Sequence, residues 1–501
     1  MIRRATFAGL LLLLVLPGLA TPSDLRDSQT WSLEKRMESH TLANGLQVIL
    51  LDRRISPTVS LYIRYRAGAV DEKEGQTGLA HLLEHMLFKG TKTIGVKDHG
   101  KERPILRKIA LIGEALDQEK RKGEKADRKK LADLSAKLGR LQEAHRPLIV
   151  SNEIDRLYTE NGASGLNAST GQDVTTYYVN LPANKIELWA RIESDRMANA
   201  VFREFFTERD VVLEERRQRV DADPDGRLYE AFMAAAYTAH PYRRPIIGWA
   251  SDIEYLGMKD VERFYRLMHA PNNTVIAVVG HIDAKKTLEW IKAYFGGIPR
   301  QPDPPRPTTK EPRKSGEKRV LVRVDANPRM VVGFHKPALP SADDYVFEVL
   351  EAVLSNDRTS RFYRILVEEK GLAESVQAVN GLPGSRYDNL FAVFASPRQP
   401  HGNQELEAAL DDLLEQLKTQ PVSDKELQKI KNQVQAAFIR QQRSNQGLAS
   451  LLSYHQALFG SCRHLFDYVD KINAVTADDI MRVARTYLIR QNRTVVWGVK
   501  E

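Results

Sequence analysis

Gly78-Leu79-Ala80-His81-Leu82-Leu83-Glu84-His85-Met86-Leu87-Phe88-Lys89-Gly90 is the stretch on which the reading of this chain turns. Wound as a helix at about 100° per residue, it puts Leu79, Leu82, Leu83, Met86 and Leu87 on one stripe, with His81, Glu84, His85 and Phe88 opposite. The apolar stripe is what a core would hold, and the polar stripe then faces a cleft or solvent. His81 and His85 stand one turn apart, about 6 Å along the axis. From that spacing two imidazoles can reach one zinc ion at about 2.0–2.1 Å. Gly90 supplies a helix end. A catalytic zinc also needs a third protein ligand, a position open to water and a carboxylate to take the water's proton. Glu84, on the same stripe between the histidines, is the natural base.

The third ligand is expected to be an acid on a buried helical face. In Thr207–Arg217, Glu208, Val211, Val212 and Glu215 fall at i, i+3, i+4 and i+7, so two glutamates share a stripe with two valines. Burying carboxylates there is costly unless something positive receives them, either a metal or the many nearby arginines. Glu193, in Ile192-Glu193-Ser194, competes for the same role, and spacing alone does not separate the candidates.

Working outward, 501 residues with 42% hydrophobic and 28% charged positions give ordinary globular composition and length for two or three domains. Residues 1–20 read as an export signal cleaved after Ala20, with Arg3 and Arg4 leading a mostly apolar run. Pro17 and Gly18 interrupt that run short of the roughly 20 residues a membrane span needs, so stable membrane insertion is not expected. The expected destination is the periplasm, with secretion as the alternative. Cys462 is the only cysteine, which rules out an internal disulfide and a thiolate metal cluster. Any metal must use His, Asp or Glu. The formal charge of +9 falls to +7 without Arg3 and Arg4, and much of the excess is local: residues 101–146 hold 14 Lys or Arg against 8 Asp or Glu. No aromatic residues interleave with these charges as single-strand binding needs, so nucleic acid is not an expected partner.

Gly296–Lys318 carries Pro299, Pro302, Pro304, Pro305 and Pro307, which remove donors and fix φ. It reads as a linker, residues 298–318, between a first half (33–297) and a second (319–501). The halves look related. Met258-Lys259-Asp260 opens a helix leading to the β-branched run 273–280, and Ala477-Asp478-Asp479 opens one leading to 493–499. Ile105, Ile109, Ile112 and Leu116, then Leu131, Leu134, Leu138 and Leu141, form two heptad-like seams around Gly123. They predict an antiparallel helical hairpin over about 101–148, inserted in the first half. Its charges read as a solvated face, with a docking arm as the functional alternative. Helix and strand patterns mix throughout, so the fold class is α+β.

Three segments taken in order resemble the pitrilysin/insulinase family of inverted-motif zinc peptidases, which includes the mitochondrial processing peptidases. They are Gly78–Thr91, then Gly165-Leu166-Asn167-Ala168-Ser169-Thr170 with Thr176-Tyr177-Tyr178, and Glu208–Glu215. The resemblance covers nearly the whole mature chain. It implies two homologous α/β-sandwich halves, processing-peptidase-like, forming a clamshell. It also implies one zinc per chain held by His81, His85 and Glu215, Glu84 as base, and Glu208 as an acid orienting the ligands. The strand around Asn167 and Ala168 has small side chains suited to pairing with an extended peptide, and the family places such a strand at an exposed edge beside the metal. The implied activity is endopeptidase action on peptides or unfolded segments. The separation from His85 to Glu215 exceeds the family's usual length, and the hairpin accounts for the excess. In Ser360–Val376 the family commonly sets an arginine and, seven positions on, a tyrosine that hold substrate; this chain has Val367 and Glu374. Tyr363 and Arg364 lie nearby with the wrong spacing and order. Either a metal-free homologous partner supplies the missing pair in a heterodimer, with a homodimer as the other assembly, or substrate is held differently.

Overall fold

Val48-Ile49-Leu50-Leu51 and Val275-Ile276-Ala277-Val278-Val279 are apolar on both faces and almost wholly buried, a pattern that fits only interior strands covered above and below. In the computed structural model, which describes residues 30–500, they are neighbours in a six-stranded sheet. Its strands are β1 (Met37–Thr41), β2 (Gln47–Asp52), β3 (Thr58–Tyr65), β4 (Ser164–Thr170), β5 (Thr175–Pro182) and β6 (Thr274–Gly280), in the order β1-β2-β6-β3-β5-β4. The second sheet comprises β7 (Lys318–Val324), β8 (Arg329–Lys336), β9 (Ala373–Leu382), β10 (Asn389–Pro397) and β11 (Arg493–Lys500), in the order β7-β11-β8-β10-β9. Residues 1–20, read from the sequence as an export signal, lie outside the described residues.

The two sheets repeat one design. β2 and β6 pair in parallel, as do β7 and β11, and every other pairing is antiparallel. The helix Met258–Met268 leads into β6 and the helix Ala477–Tyr487 into β11, the match anticipated from the two C-terminal segments. In each, an acid at the third helical position, Asp260 or Asp479, accepts the backbone N–H of the residue before the helix, at 3.2 and 3.1 Å. The architecture is the expected α+β clamshell of two α/β halves.

The halves are clasped by an exchange of helices. Helix Pro224–Ala236, from the first half, lays Leu228, Phe232, Met233 and Ala236 on Val331, Leu390, Ala392 and Val496 of the second sheet. Helix Asn445–Phe459, from the second half, lays Leu448, Ala449 and Leu452 on Ile49, Val275 and Ala277 of the first. Gly333 must stay bare for this contact, because a Cβ there would meet Phe232 Cζ at 2.3 Å. Residues 299–317 carry no helix or strand, as their prolines dictate, yet they are pinned: Glu311 accepts the N–H groups of Thr238, Ala239 and His240 at 2.7–2.9 Å.

The basic block forms helices His99–Lys120 and Arg128–His145 around a short turn at Gly123–Lys125. The two seams face the first core, with Ile109, Leu116 and Leu138 buried and the other five partly so. At its base Glu102 accepts from Arg203 Nε at 2.5 Å, His145 Nε2 at 2.8 Å and His99 Nδ1 at 3.0 Å. Among the described residues no helix is long and apolar enough to cross a membrane.

Candidate active site

The helix Leu79–Met86 is held as its leucine stripe requires: Leu79, Ala80, Leu82, Leu83 and Met86 are all buried. Its start is built by two residues. Gly78 adopts φ 86°, where a side chain would be strained and a Cβ would strike Ile247 O at 2.5 Å. Glu72 accepts the N–H groups of Gly78 at 3.0 Å and Ala80 at 2.8 Å, satisfying donors that a helix start leaves unpaired. A 3-10 turn, Leu87–Lys89, ends at Gly90 with φ 99°.

The polar stripe meets the helix Phe205–Arg216 across a cavity of about 1300 Å³. His81 Nε2 lies 3.6 Å and His85 Nε2 3.5 Å from the same atom, Glu215 Oε2. Among the described residues these three form the one trio of His, Cys, Asp or Glu whose ligand atoms all fall within 4.8 Å of one another. Glu208 sits behind them: its Oε1 is 3.0 Å from His85 Nδ1 and its Oε2 2.6 Å from Lys89 Nζ. Although burial alone would raise the Glu208 carboxyl, these two partners hold it down at about 2. It is therefore a charged acceptor, placed to hold a proton on His85 Nδ1 and to turn Nε2 toward Glu215; against the lowering effect of burial, Glu208, Glu215 and Glu84 raise His85 above the usual imidazole range. Burial lowers His81 to about 3, helped by His85 and Arg219, so this imidazole is neutral and able to ligate. Two imidazoles and a carboxylate converging on one point fit a zinc ion, whose positive charge would take the place of the proton that the carboxylates favour on His85.

Glu84 projects from the same helix into the cavity. Burial lifts its carboxyl above the usual range against the opposing pull of Thr170 and His85. The Thr170 hydroxyl donates to Glu84 Oε2 at 2.5 Å, leaving Oε1 for a proton. β4 is the edge strand of its sheet, and its exposed Asn167 and half-buried Ala168 line the cavity.

Two expectations need correction. Glu193, the rival third ligand, is committed elsewhere: both its oxygens accept from Arg196 Nη1 at 2.8 and 2.9 Å, and the Tyr158 hydroxyl donates at 2.6 Å. The Glu208 to Glu215 stripe is not uniformly buried. Val212 is fully buried, but Val211 is 47% exposed and lines the cavity, because the stripe straddles the boundary between core and cleft. In the second half Val367 is buried in the core and Glu374 is exposed on β9. Lys89, Thr170 and Arg219, the last 3.0 Å from Glu215 Oε1, were not singled out. The signals for Lys89 and Arg219 lie in the spacing, since each stands four residues after a candidate ligand, one turn further along the chain.

Two α/β halves with a His-x-x-Glu-His helix set against an open edge strand define a class of metal-dependent peptidases. The family profile "Insulinase (Peptidase family M16)" matches residues 47–103 and 149–249, and "Peptidase M16 inactive domain" matches 256–434. The chain belongs to the insulinase family of peptidases, M16. It is 27% identical over 467 residues to the zinc protease PqqE of Helicobacter pylori, covering 92% of each chain. It is 22% identical to the probable mitochondrial-processing peptidase subunit beta of Arabidopsis thaliana, over 89% of this chain and 75% of that one. A crystal structure of a protease from Helicobacter pylori superposes with TM-score 0.78 at 26% identity, over 92% of this chain and 99% of that one.

Proposed function

We propose that this chain is a zinc-dependent endopeptidase acting on peptides or unfolded segments. The observation that carries the reading is the convergence of His81 Nε2 and His85 Nε2 on one oxygen of Glu215, with Glu208 fixing the tautomer of His85. His81, His85 and Glu215 would hold one zinc ion per chain. When bound, that ion supplies Lewis acidity that makes water a nucleophile near neutral pH and polarises the scissile carbonyl. Glu84 takes the water's proton and returns it to the leaving amine, and Thr170 fixes the carboxylate for that transfer. The free edge of β4, at Asn167 and Ala168, pairs with substrate backbone, so side-chain selectivity is broad.

The absence of an arginine and tyrosine at Val367 and Glu374 favours a metal-free homologous partner that completes the substrate clamp, and the residue 1–20 signal favours export to the periplasm. Hydrolysis of an unstructured peptide by the purified chain, alone and together with any homologous chain that co-purifies, tests the activity and the partner. Zinc-dependent hydrolysis that rises when a homologous, motif-free chain co-purifies is the expected result. Full activity of the isolated chain would remove the partner, and no hydrolysis by either preparation would remove the peptidase. An inactive structural subunit is the alternative, and such a chain has no chemical reason to keep His81, Glu84, His85 and Glu215 together.

A further inference from the structure

The inserted hairpin lines no part of the zinc cleft, yet it walls a cavity of its own. Ile105, Ile109, Ile112 and Leu116 turn one side of the helix His99–Lys120 to the first core. A second stripe of that helix, Arg103, Leu106, Arg107 and Ala110, falls at i, i+3, i+4 and i+7 and lines a cavity of about 580 Å³. Facing it is the helix Met258–Met268 with the residue that follows: Met258, Glu262, Tyr265, Arg266 and His269 line the same space at helical spacing. Met197, Val201 and Phe202, around the end of the helix Ile186–Asn199, add an apolar wall. Leu106, Arg107 and Ala110 lie in the stretch that interrupts the family match, so the site is one that the insertion creates.

Its rim is cationic. Among the described residues, Arg103, Arg107 and Arg266 are exposed with no ion-pair or hydrogen-bond partner, and Glu262 is the one acid in the wall. Exposed arginines by themselves are a solvated surface, and what distinguishes this one is the histidine beneath it. His269 is 1% exposed, its ring centroid lies 3.9 Å from that of Tyr65, and neither its Nδ1 nor its Nε2 has a hydrogen-bond partner among the described residues. Burial lowers this imidazole to about 3, so it is neutral, with one N–H to donate and one nitrogen to accept. A buried polar group left unmet is costly. The neighbouring Tyr265 hydroxyl does not meet it, being spent on the Met197 carbonyl at 2.6 Å.

Those walls select the ligand. Guanidinium forks at the rim suit a planar oxyanion, and Glu262 beside them repels a dianion more than a monoanion, which favours a carboxylate over a phosphate. Met197, Val201 and Phe202 suit an apolar stem. His269 suits a hydroxyl at the far end of that stem, since a hydroxyl can both donate and accept. A cavity of this volume is in the range of small-molecule sites. We propose that it binds a small organic acid, a carboxylate on an apolar stem that carries a hydroxyl at its other end. The site is separate from the zinc centre and does not depend on the hydrolytic reading above.

The test is direct binding to the full chain by calorimetry, with para-hydroxyphenylpropionate as the probe and hydrolysis not used as the readout. The probe should bind saturably. Its amide, para-hydroxyphenylpropionamide, has the same shape without the charge and should bind about tenfold more weakly. Phenylpropionate, which lacks the hydroxyl, should bind about fivefold more weakly. Arg107→Gln with Arg266→Gln, both at exposed positions, should weaken the probe about tenfold while thermal unfolding stays unchanged. His269→Phe keeps a ring against Tyr65 and should bind the hydroxylated and plain acids alike, a readout that a merely structural histidine would not move. The arginine variant keeps the test usable if His269→Phe folds poorly. Absence of saturable binding, equal binding of acid and amide, or unchanged affinity in the arginine variant would overturn the proposal. A preference for the hydroxyl that persists in His269→Phe would remove His269 from the site, and inorganic phosphate binding as tightly as the probe would replace the organic acid with a free anion.

Discussion

At the scale of single residues, the proposed function divides the centre into groups that would hold a metal and groups that would move a proton, and substitution should separate them. Glu84→Gln keeps the shape of the side chain and removes its basicity. Zinc measured by elemental analysis should stay near one per chain while peptide hydrolysis falls at least 10²-fold, in line with typical losses of a general base. Glu215→Gln should do the reverse at the first step and lose metal before anything else. Glu208→Ala should weaken zinc about 10–100-fold in a chelator competition, because it frees His85 Nδ1 and leaves Lys89 to Glu204. Unchanged affinity in that variant would mean that the tautomer of His85 is fixed by some other group. The two histidines and Glu84 were legible in thirteen consecutive residues because a helix brings i and i+4 together without help from the rest of the chain. Glu193 and Glu215 were indistinguishable by spacing, since only packing reveals that Arg196 and Tyr158 have claimed one of them.

At the scale of elements, the inserted hairpin is tied to the first half by a buried carboxylate. Glu102 and Arg203 are fully buried, and although burial alone would raise Glu102, His145, Arg203 and His99 hold it at about 2. A carboxyl lowered from an ordinary 4.5 stabilises the fold fully above pH about 4.5, and that contribution is lost as pH falls towards 2. Glu102→Gln leaves buried Arg203 unpaired and should cost about 3–5 kcal/mol at neutral pH. In thermal melts the gap between the two proteins should narrow as pH is lowered from about 4.5 towards 2. A constant gap would show that the loss in the variant is steric. The seams of this hairpin were readable from leucine and isoleucine spacing. Its anchor was not, because Glu102 and Arg203 are about a hundred positions apart and nothing in the local pattern pairs them.

At the scale of the whole molecule, each half lends the other a helix, so the sheets are finished only when both halves are present. Phe232→Ala removes a fully buried ring from the contact with the second sheet and should cost about 3–5 kcal/mol. Because the same ring belongs to a first-half helix, denaturant unfolding followed by probes in either half should shift together. Separate transitions, with only one displaced, would show that the clasp does not couple them. The repeated design was visible as two matching helix-to-strand segments at the ends of the halves, yet the exchange was not. An apolar helix stripe declares that it must be covered and does not say by which sheet.

The sequence by itself determined whatever is local or periodic: the α+β class, the divided chain with its proline-rich linker, the hairpin, and a helix bearing His81, Glu84 and His85 opposite its own leucines. Tertiary structure decided the choice of Glu215 over Glu193, the commitment of Glu208 to His85 and Lys89, the placing of Asn167 and Ala168 on an open edge, and the reciprocal clasp. The physical reason is distance along the chain. Helical and strand periods bring residues a few positions apart into register, whereas which carboxylate meets which imidazole across 130 positions is set by how the two halves bury their apolar faces.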